Sequence, residues 1–408
     1  MRYTAALDCL NFFLADVRGG LGPYVGVFLI TQAHWDQATL GTVLTVSGLL
    51  GITLHTPIGA FIDATRAKRG LIIAGVALLA VSAVAIVFAP VWQVVLAADI
   101  GMAVLGAIFG PTVAAITLGL VLPGALAMRL GRNAATDRAG NIFIAALAGF
   151  VGWWLSQRAV FYLAPLFACL SATAVLAIPA SAIDHERARG FAGAQEGDGQ
   201  PLAWRRLFEN RTLLVLAVSA ALFHFANAPM LPMLGQKLAL AHRGEETVWL
   251  SASIMTAQFA VIPVAMLTGA MADTWGRKPI LLLGFAALPI RGVLYTLSDD
   301  AIWLVGVQVL DGVGMGIYGT LLPLIIADVM RGTGRYNVSQ GIVGTVQGVG
   351  GSLSNVVAGL IVVSQGYNAA FLALASVAAT AFLLVLLAAP ETVTLQDASV
   401  TEPATRSG

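Results

Sequence analysis

Long apolar runs, separated by short polar breaks, dominate this chain. Read between charged residues and Pro/Gly interruptions, they predict twelve helical spans. The first six lie at about 8–30, 37–62, 70–89, 92–122, 138–157 and 160–182, and the second six at about 212–238, 247–272, 279–298, 301–328, 338–364 and 368–389. Each run is close to or above the roughly 20 residues that a bilayer crossing needs. One long polar segment, Asp184 to Arg211, divides them and reads as a linker. The expected organisation is an all-α membrane protein: a six-helix bundle over 1–183, a linker over 184–211, a second six-helix bundle over 212–390 and a disordered tail over 391–408.

Composition narrows the class. Of 408 residues, 58% are hydrophobic and 11% charged, against about 25% charged in soluble domains. The mean hydropathy is +0.85. A net charge of +1 with no long basic run argues against a nucleic-acid partner. Cys9 and Cys169 support neither a disulfide framework nor a metal cluster, and His34, His55, His185, His224 and His242 are scattered. No nucleophile–base pattern points to an enzyme, and no nucleotide-binding loop is present. No cofactor is expected.

Charge also orients the spans. Fifteen Lys/Arg fall in one alternating set of loops and three in the other, so the first set, the linker and both termini are expected on the cytoplasmic side of the inner membrane. The halves echo each other. Gly59–Asp63 matches Gly269–Asp273 at an offset of 210, and Asp99/Pro111 matches Asp311/Pro323 at 212. Asp16 matches Asn227 more weakly at 211. Six spans per repeat give both halves the same topology, related by an axis along the membrane normal, with a cavity expected between them.

The segment Gly269-x-x-x-Asp273-x-x-Gly276-Arg277-Lys278-Pro279 resembles the loop signature of the major facilitator superfamily. A first-half copy keeps Gly59, Asp63, Lys68 and Arg69 but has Arg66 where a second glycine is usual. The resemblance covers essentially the whole chain and implies that superfamily's fold of two pseudo-symmetric six-helix bundles, working by alternating access. Gly59, Asp63, Arg66, Gly269, Asp273, Gly276 and Arg277 then read as gating residues, with Asp328 and Arg331 as second-half partners. Positive-inside anchoring is the plainer account of the same cations.

Charges within spans cost roughly 2.5–3.5 kcal/mol on insertion scales and need a reason. Asp16 is the preferred proton-coupling group, with Asp99 and Asp311 as further candidates; helix–helix clamping is the alternative for all three. Arg18 is a possible partner for Asp99, and Arg291 for Asp311. Asn11, Arg18, Asn141, His224, Asn227, Gln258, Arg291, Gln347 and Asn355 are candidate substrate contacts, although polar side chains equally join helices. An arginine is usual near Asp99 in the superfamily's drug/proton antiporters, and their helix-5 signature is only partly kept in Ala145-x-x-x-Gly149-Phe150-x-Gly152. The Ala15–Tyr24 stretch is similar to that of bacterial efflux-type members. The expected activity is proton-coupled export of small amphipathic or organic compounds. Uptake of an organic acid, with Arg18 or Arg291 as anion anchor, is the alternative. The expected partners are a small-molecule substrate, protons and the lipid bilayer, with a monomer as the working unit.

Overall fold

The computed structural model describes residues 3–15, 22–65, 67–121, 123–184, 210–331 and 336–392. Asp16, Arg18 and Arg66, most of the expected linker and most of the tail lie outside these residues, as do the side chain of Asp63 and the surroundings of Gly59.

The described residues are almost wholly helical. The first half contains α1 (Thr4–Ala15), α2 (Gly22–Thr31), α3 (Gln37–Ala64), α4 (Lys68–Phe88), α5 (Trp92–Leu120), α6 (Pro123–Trp154), α7 (Gln157–Val160) and α8 (Leu163–Leu176). The second contains α9 (Arg211–Asn227), α10 (Met230–Ala241), α11 (Glu246–Trp275), α12 (Arg277–Leu294), α13 (Ala301–Val307), α14 (Val309–Val329), α15 (Tyr336–Gln365) and α16 (Tyr367–Ala388). Among the described residues, nine helical stretches are long and apolar enough to cross a membrane.

Local chemistry explains the breaks. Asp36 accepts from the Thr39 amide at 2.8 Å to start α3, Asn210 from Leu213 at 3.0 Å to start α9, and Asp300 from Trp303 at 2.7 Å to start α13. The basic residues after α3 close helix ends. Lys68 is 1% exposed and its Nζ donates to the carbonyls of Ile62 (2.8 Å) and Thr65 (3.1 Å). Arg69 donates to the Leu176 carbonyl at the end of α8, 3.3 Å away. Pro111 and Pro323, matched in the repeat, both lie inside helices, α5 and α14.

One boundary differs substantially from expectation. Hydropathy starts the fifth span at about 138, but α6 begins at Pro123 and carries Arg129, Arg132, Asp137 and Arg138 within the helix. Its polar first half is not a loop, because Asp8 on α1 offers a counter-charge. Arg129 and Arg132 each reach that carboxylate at 2.5 Å. Arg129 also donates to Asn133, which donates to Thr117 at 3.0 Å.

The chain forms two compact units. The first comprises the described residues within 1–197, with Leu231–Met255 and Asn355–Ser364. Its core is built on Leu7, Leu10, Leu14, Phe28, Ile72, Leu79, Phe109, Ile116, Phe161 and Phe167. In it α3 packs on α5, α4 on α5 and α8, and α1 on α6 and α8. The second comprises the described residues within 198–230, 256–354 and 365–408. Here α12 packs on α14 and α16, and α9 on α16. Both units leave large apolar side chains outermost, with Phe88 at 74% and Leu387 at 81% exposure. Such a surface is stable against hydrocarbon rather than water.

Candidate functional site

Three helices of the second unit converge on His224. Its Nδ1 lies 3.3 Å from the Ala220 carbonyl one turn earlier on α9, and its Nε2 lies 2.9 Å from Nε2 of Gln347 on α15. The Tyr318 hydroxyl on α14 donates to Gln347 Oε1 at 2.8 Å. Phe223 stacks on Tyr318 at a 4.7 Å centroid distance, with Phe285 of α12 against Phe223 at 4.8 Å. The glycines of α15 allow this closeness: a side chain at Gly350 would meet the Ala221 backbone. Asn227, one turn beyond Phe223, donates to Met315 sulfur at 3.4 Å. His224 and Gln347 therefore bond directly, while Asn227, three residues further along α9, is tied to Met315 of α14. Gln258 is half-buried on α11. Tyr318 escapes the sequence reading, because a tyrosine inside an apolar run looks like core.

A second polar group in this unit joins Arg291 on α12 to Asp311 on α14. Arg291 is 1% exposed and stacks over the Tyr295 ring at 5.7 Å. Among the described residues its Nε and Nη2, and both amide atoms of buried Gln308, have no hydrogen-bond partner. This pair matches the depth-based expectation for Arg291. Its guanidinium is thus already held by a carboxylate.

The loop signature forms a third group. Arg277 bonds Asp273 at 2.7 Å and Asp328 at 3.1 Å, and Arg331 reaches Asp328 at 3.1 Å. Glu391, just after α16, accepts from the first amides of α12, Arg277 at 2.9 Å and Lys278 at 3.0 Å. Gly276, at φ +87°, turns the chain into that helix. A side chain added at Gly269 would meet no atom within 4 Å, so no close helix approach among the described residues requires a glycine there. Glu391 escapes the sequence reading because it lies 114 residues from Arg277. Glu391→Ala should remove both acceptors and lower stability by about 1 kcal/mol, read as a lower thermal midpoint in detergent. An unchanged midpoint would show that the clasp contributes nothing.

In the first unit Asp99 accepts a hydrogen bond from Ser47 of α3. Asn11 and Asn141 bond their own helices, at Leu7 O (2.8 Å) and Asp137 O (2.9 Å). The Asn355 backbone packs on Gly41. That packing is part of a seal between α3 and α15 and between α6 and α11. Side chains at Gly41, Gly359 and Gly152 would meet Asn355 O, Gln37 O and Thr247 respectively, and one at Gly149 would lie 2.7 Å from Ser251 Oγ. Tyr24 and Ser251 hydroxyls meet at 2.7 Å, and the Val356 amide donates to Thr45 at 3.1 Å. Beside this seal, α6 and α11 border a groove of about 570 Å³ lined by Phe150, Trp153, Trp249, Met255 and Glu245. Glu245 accepts from Trp249 Nε1 at 3.0 Å and, among the described residues, pairs with no cation.

The family model for the Major Facilitator Superfamily matches residues 7–330 and 246–407. The chain belongs to the major facilitator superfamily. It is 49% identical over 395 residues to an MFS-type transporter of Mycobacterium tuberculosis, covering 96% of this chain and 94% of that one. Shorter similarity links it to the multidrug resistance protein fnx1 of Schizosaccharomyces pombe, 28% over 148 residues, covering 35% of this chain and 26% of that one. The efflux pump dotC of Dothistroma septosporum is 27% identical over 150 residues, covering 36% of this chain and 22% of that one. The crystal structure of the nucleoside transporter NupG superposes with a TM-score of 0.76 over 95% of this chain and 98% of that one, at 12% identity, and so shares the fold. This superfamily member is thus a multi-pass membrane transporter acting on small molecules, not an enzyme.

Proposed function

We propose that this transporter exports small amphipathic organic compounds across the inner membrane in exchange for protons, by alternating access, as a monomer with both termini cytoplasmic. The observation that carries the reading is the aromatic groove between α6 and α11. Three aromatic side chains and a methionine offer an apolar slot, while Glu245 supplies a carboxylate among them. A molecule with a flat apolar body and a polar or cationic end fits that chemistry. The partial similarity to a multidrug resistance protein and an efflux pump adds to it. On the loop-charge asymmetry, the glycine seal belongs to the outer side.

Uptake of an organic anion is less well supported, since Arg291 is already engaged by Asp311. Asp16, Asp99 and Asp311 remain the proposed proton-carrying carboxylates, and the groups around Arg277 the gate. The test is accumulation of a mixed panel of dyes, antibiotics and organic acids in an efflux-deficient bacterial host, with and without a protonophore. Lower accumulation of amphipathic compounds, reversed by the protonophore and by Trp153→Ala, is expected. Raised accumulation of an organic acid would reverse the direction, and export insensitive to the protonophore would remove proton coupling.

A further inference from the structure

The hydrogen-bond order around His224, with the Gln347 amide oriented as it is, fits the neutral imidazole. Nδ1 faces the Ala220 carbonyl and must carry a hydrogen to bond it. Nε2 of a neutral ring is then an acceptor, which fits the Gln347 amide nitrogen 2.9 Å away. That orientation turns Gln347 Oε1 toward the Tyr318 hydroxyl, which donates to it at 2.8 Å. Donation thus runs in one direction through three helices: Tyr318 to Gln347, Gln347 to His224, His224 to Ala220.

A second proton on the imidazole reverses this order. Nε2–H would confront the Gln347 NH2 group, donor against donor. The amide must rotate to present Oε1 to His224, and its NH2 then faces the Tyr318 oxygen. Tyr318 can accept there, but its own O–H loses its acceptor, and Tyr318 is 4% exposed and stacked on Phe223. A buried hydroxyl without an acceptor destabilises the packing that holds it.

Among the described residues, titratable neighbours are few, and the titratable ring in contact with His224 is that of Tyr318. Helices α15 and α16 carry no Asp, Glu, Lys, Arg or His. Helix α12 faces the cluster through Phe285, its Arg291 being paired with Asp311. On α14, Asp311 lies seven residues before Tyr318 and Asp328 ten after it, each held by an arginine. On α11, Glu246 and Asp273 sit at the two ends. An unperturbed histidine changes charge between about pH 5 and 8, and burial among apolar groups disfavours the charged form, so the proton is taken up at lower pH.

The geometry points to His224, Gln347 and Tyr318 as a proton-operated switch: protonation of His224 turns the Gln347 amide, strands the Tyr318 hydroxyl and loosens α9 from α14 and α15. His224 is thereby a proton-binding residue and Gln347 and Tyr318 are positioning residues. The assignment rests on the proton-coupled reading above and gives its second half a titrating group where Asn227 has none.

The test is hydrogen exchange of the full chain in nanodiscs at pH 4 and 8, corrected for intrinsic exchange, in peptides covering residues 220–228 and 343–351. In the wild type these peptides should exchange about tenfold faster at the lower pH, within the usual range of coupling between sites. His224→Gln, which cannot take the proton, should remove the difference. Tyr318→Phe, which has no hydroxyl to strand, should remove most of it while keeping the ring packed. A pH-independent wild type, or a His224→Gln variant that keeps the wild-type ratio, would overturn the switch. Loss of the protonophore effect on transport with the exchange ratio intact would instead overturn the coupling reading and leave the switch standing.

Discussion

Leucine in place of Gly41 is expected to open the seal between α3 and α15. A side chain at Gly41 would collide with the backbone carbonyl of Asn355 and crowd the Val356 Cα at 3.1 Å. Backbone cannot swing aside as a flexible side chain can, so the helices must part. Overpacking costs about 1–3 kcal/mol, which corresponds to roughly a five- to 150-fold shift in an equilibrium between packed and parted states. Thr45 lies one turn along α3 and accepts from the Val356 amide, so it reports on the same contact. A cysteine at Thr45, in a background lacking Cys9 and Cys169, should react with a maleimide about tenfold faster beside Gly41→Leu than beside the native glycine. Gly344→Leu is the control on α15, because no atom lies within 4 Å of a side chain there. Equal labelling rates with and without the Gly41→Leu substitution would show that this glycine does not hold the seal.

The same contact shows what was legible in the sequence. The apolar runs define most spans within a few residues, since a bilayer demands long unbroken hydrophobic stretches whatever the helices touch. The fifth span fails by fifteen residues at its start. Hydropathy counts Arg129 and Arg132 as solvated, and the Asp8 carboxylate that holds them is about 121 positions away. Pairing between distant helices leaves no periodic trace.

The candidate site divides along similar lines. His224, Asn227 and Gln347 stand out as polar groups in apolar helices; His224 and Gln347 do meet, whereas Asn227 bonds Met315. Asn11 and Asn141 stand out equally, yet each satisfies its amide on its own helix. An asparagine that bonds the carbonyl four residues back is indistinguishable by composition from one that faces a cavity. Tyr318 and Trp249 are invisible for the opposite reason, because aromatic rings join an apolar run without breaking it. The loop signature is legible as far as Arg277, Asp273 and Asp328, whereas Glu391 joins it only through the fold.

The buried pair of Arg291 and Asp311 yields the other large expected effect. Removing one partner from such a pair costs about 3–5 kcal/mol, because the remaining charge is left buried and uncompensated. Asp311→Leu alone should therefore unfold a large share of the protein, leaving Arg291 with none of its present carboxylate contact. Arg291→Met alone should be comparably harmful. Together they should be far milder than their sum, since a well-packed apolar pair of similar volume is often neutral relative to a buried ion pair. A double-mutant cycle on thermal or urea unfolding in detergent measures this coupling. Additive losses would mean that the two residues do not act as a unit. Accumulation assays on the double variant then separate the two roles offered for Asp311. A folded double variant that still exports would leave the pair as a clamp between α12 and α14. A folded variant that has lost protonophore-sensitive export would instead put the Arg291–Asp311 pair in the proton path, because its two charges, and not its packing, have been removed.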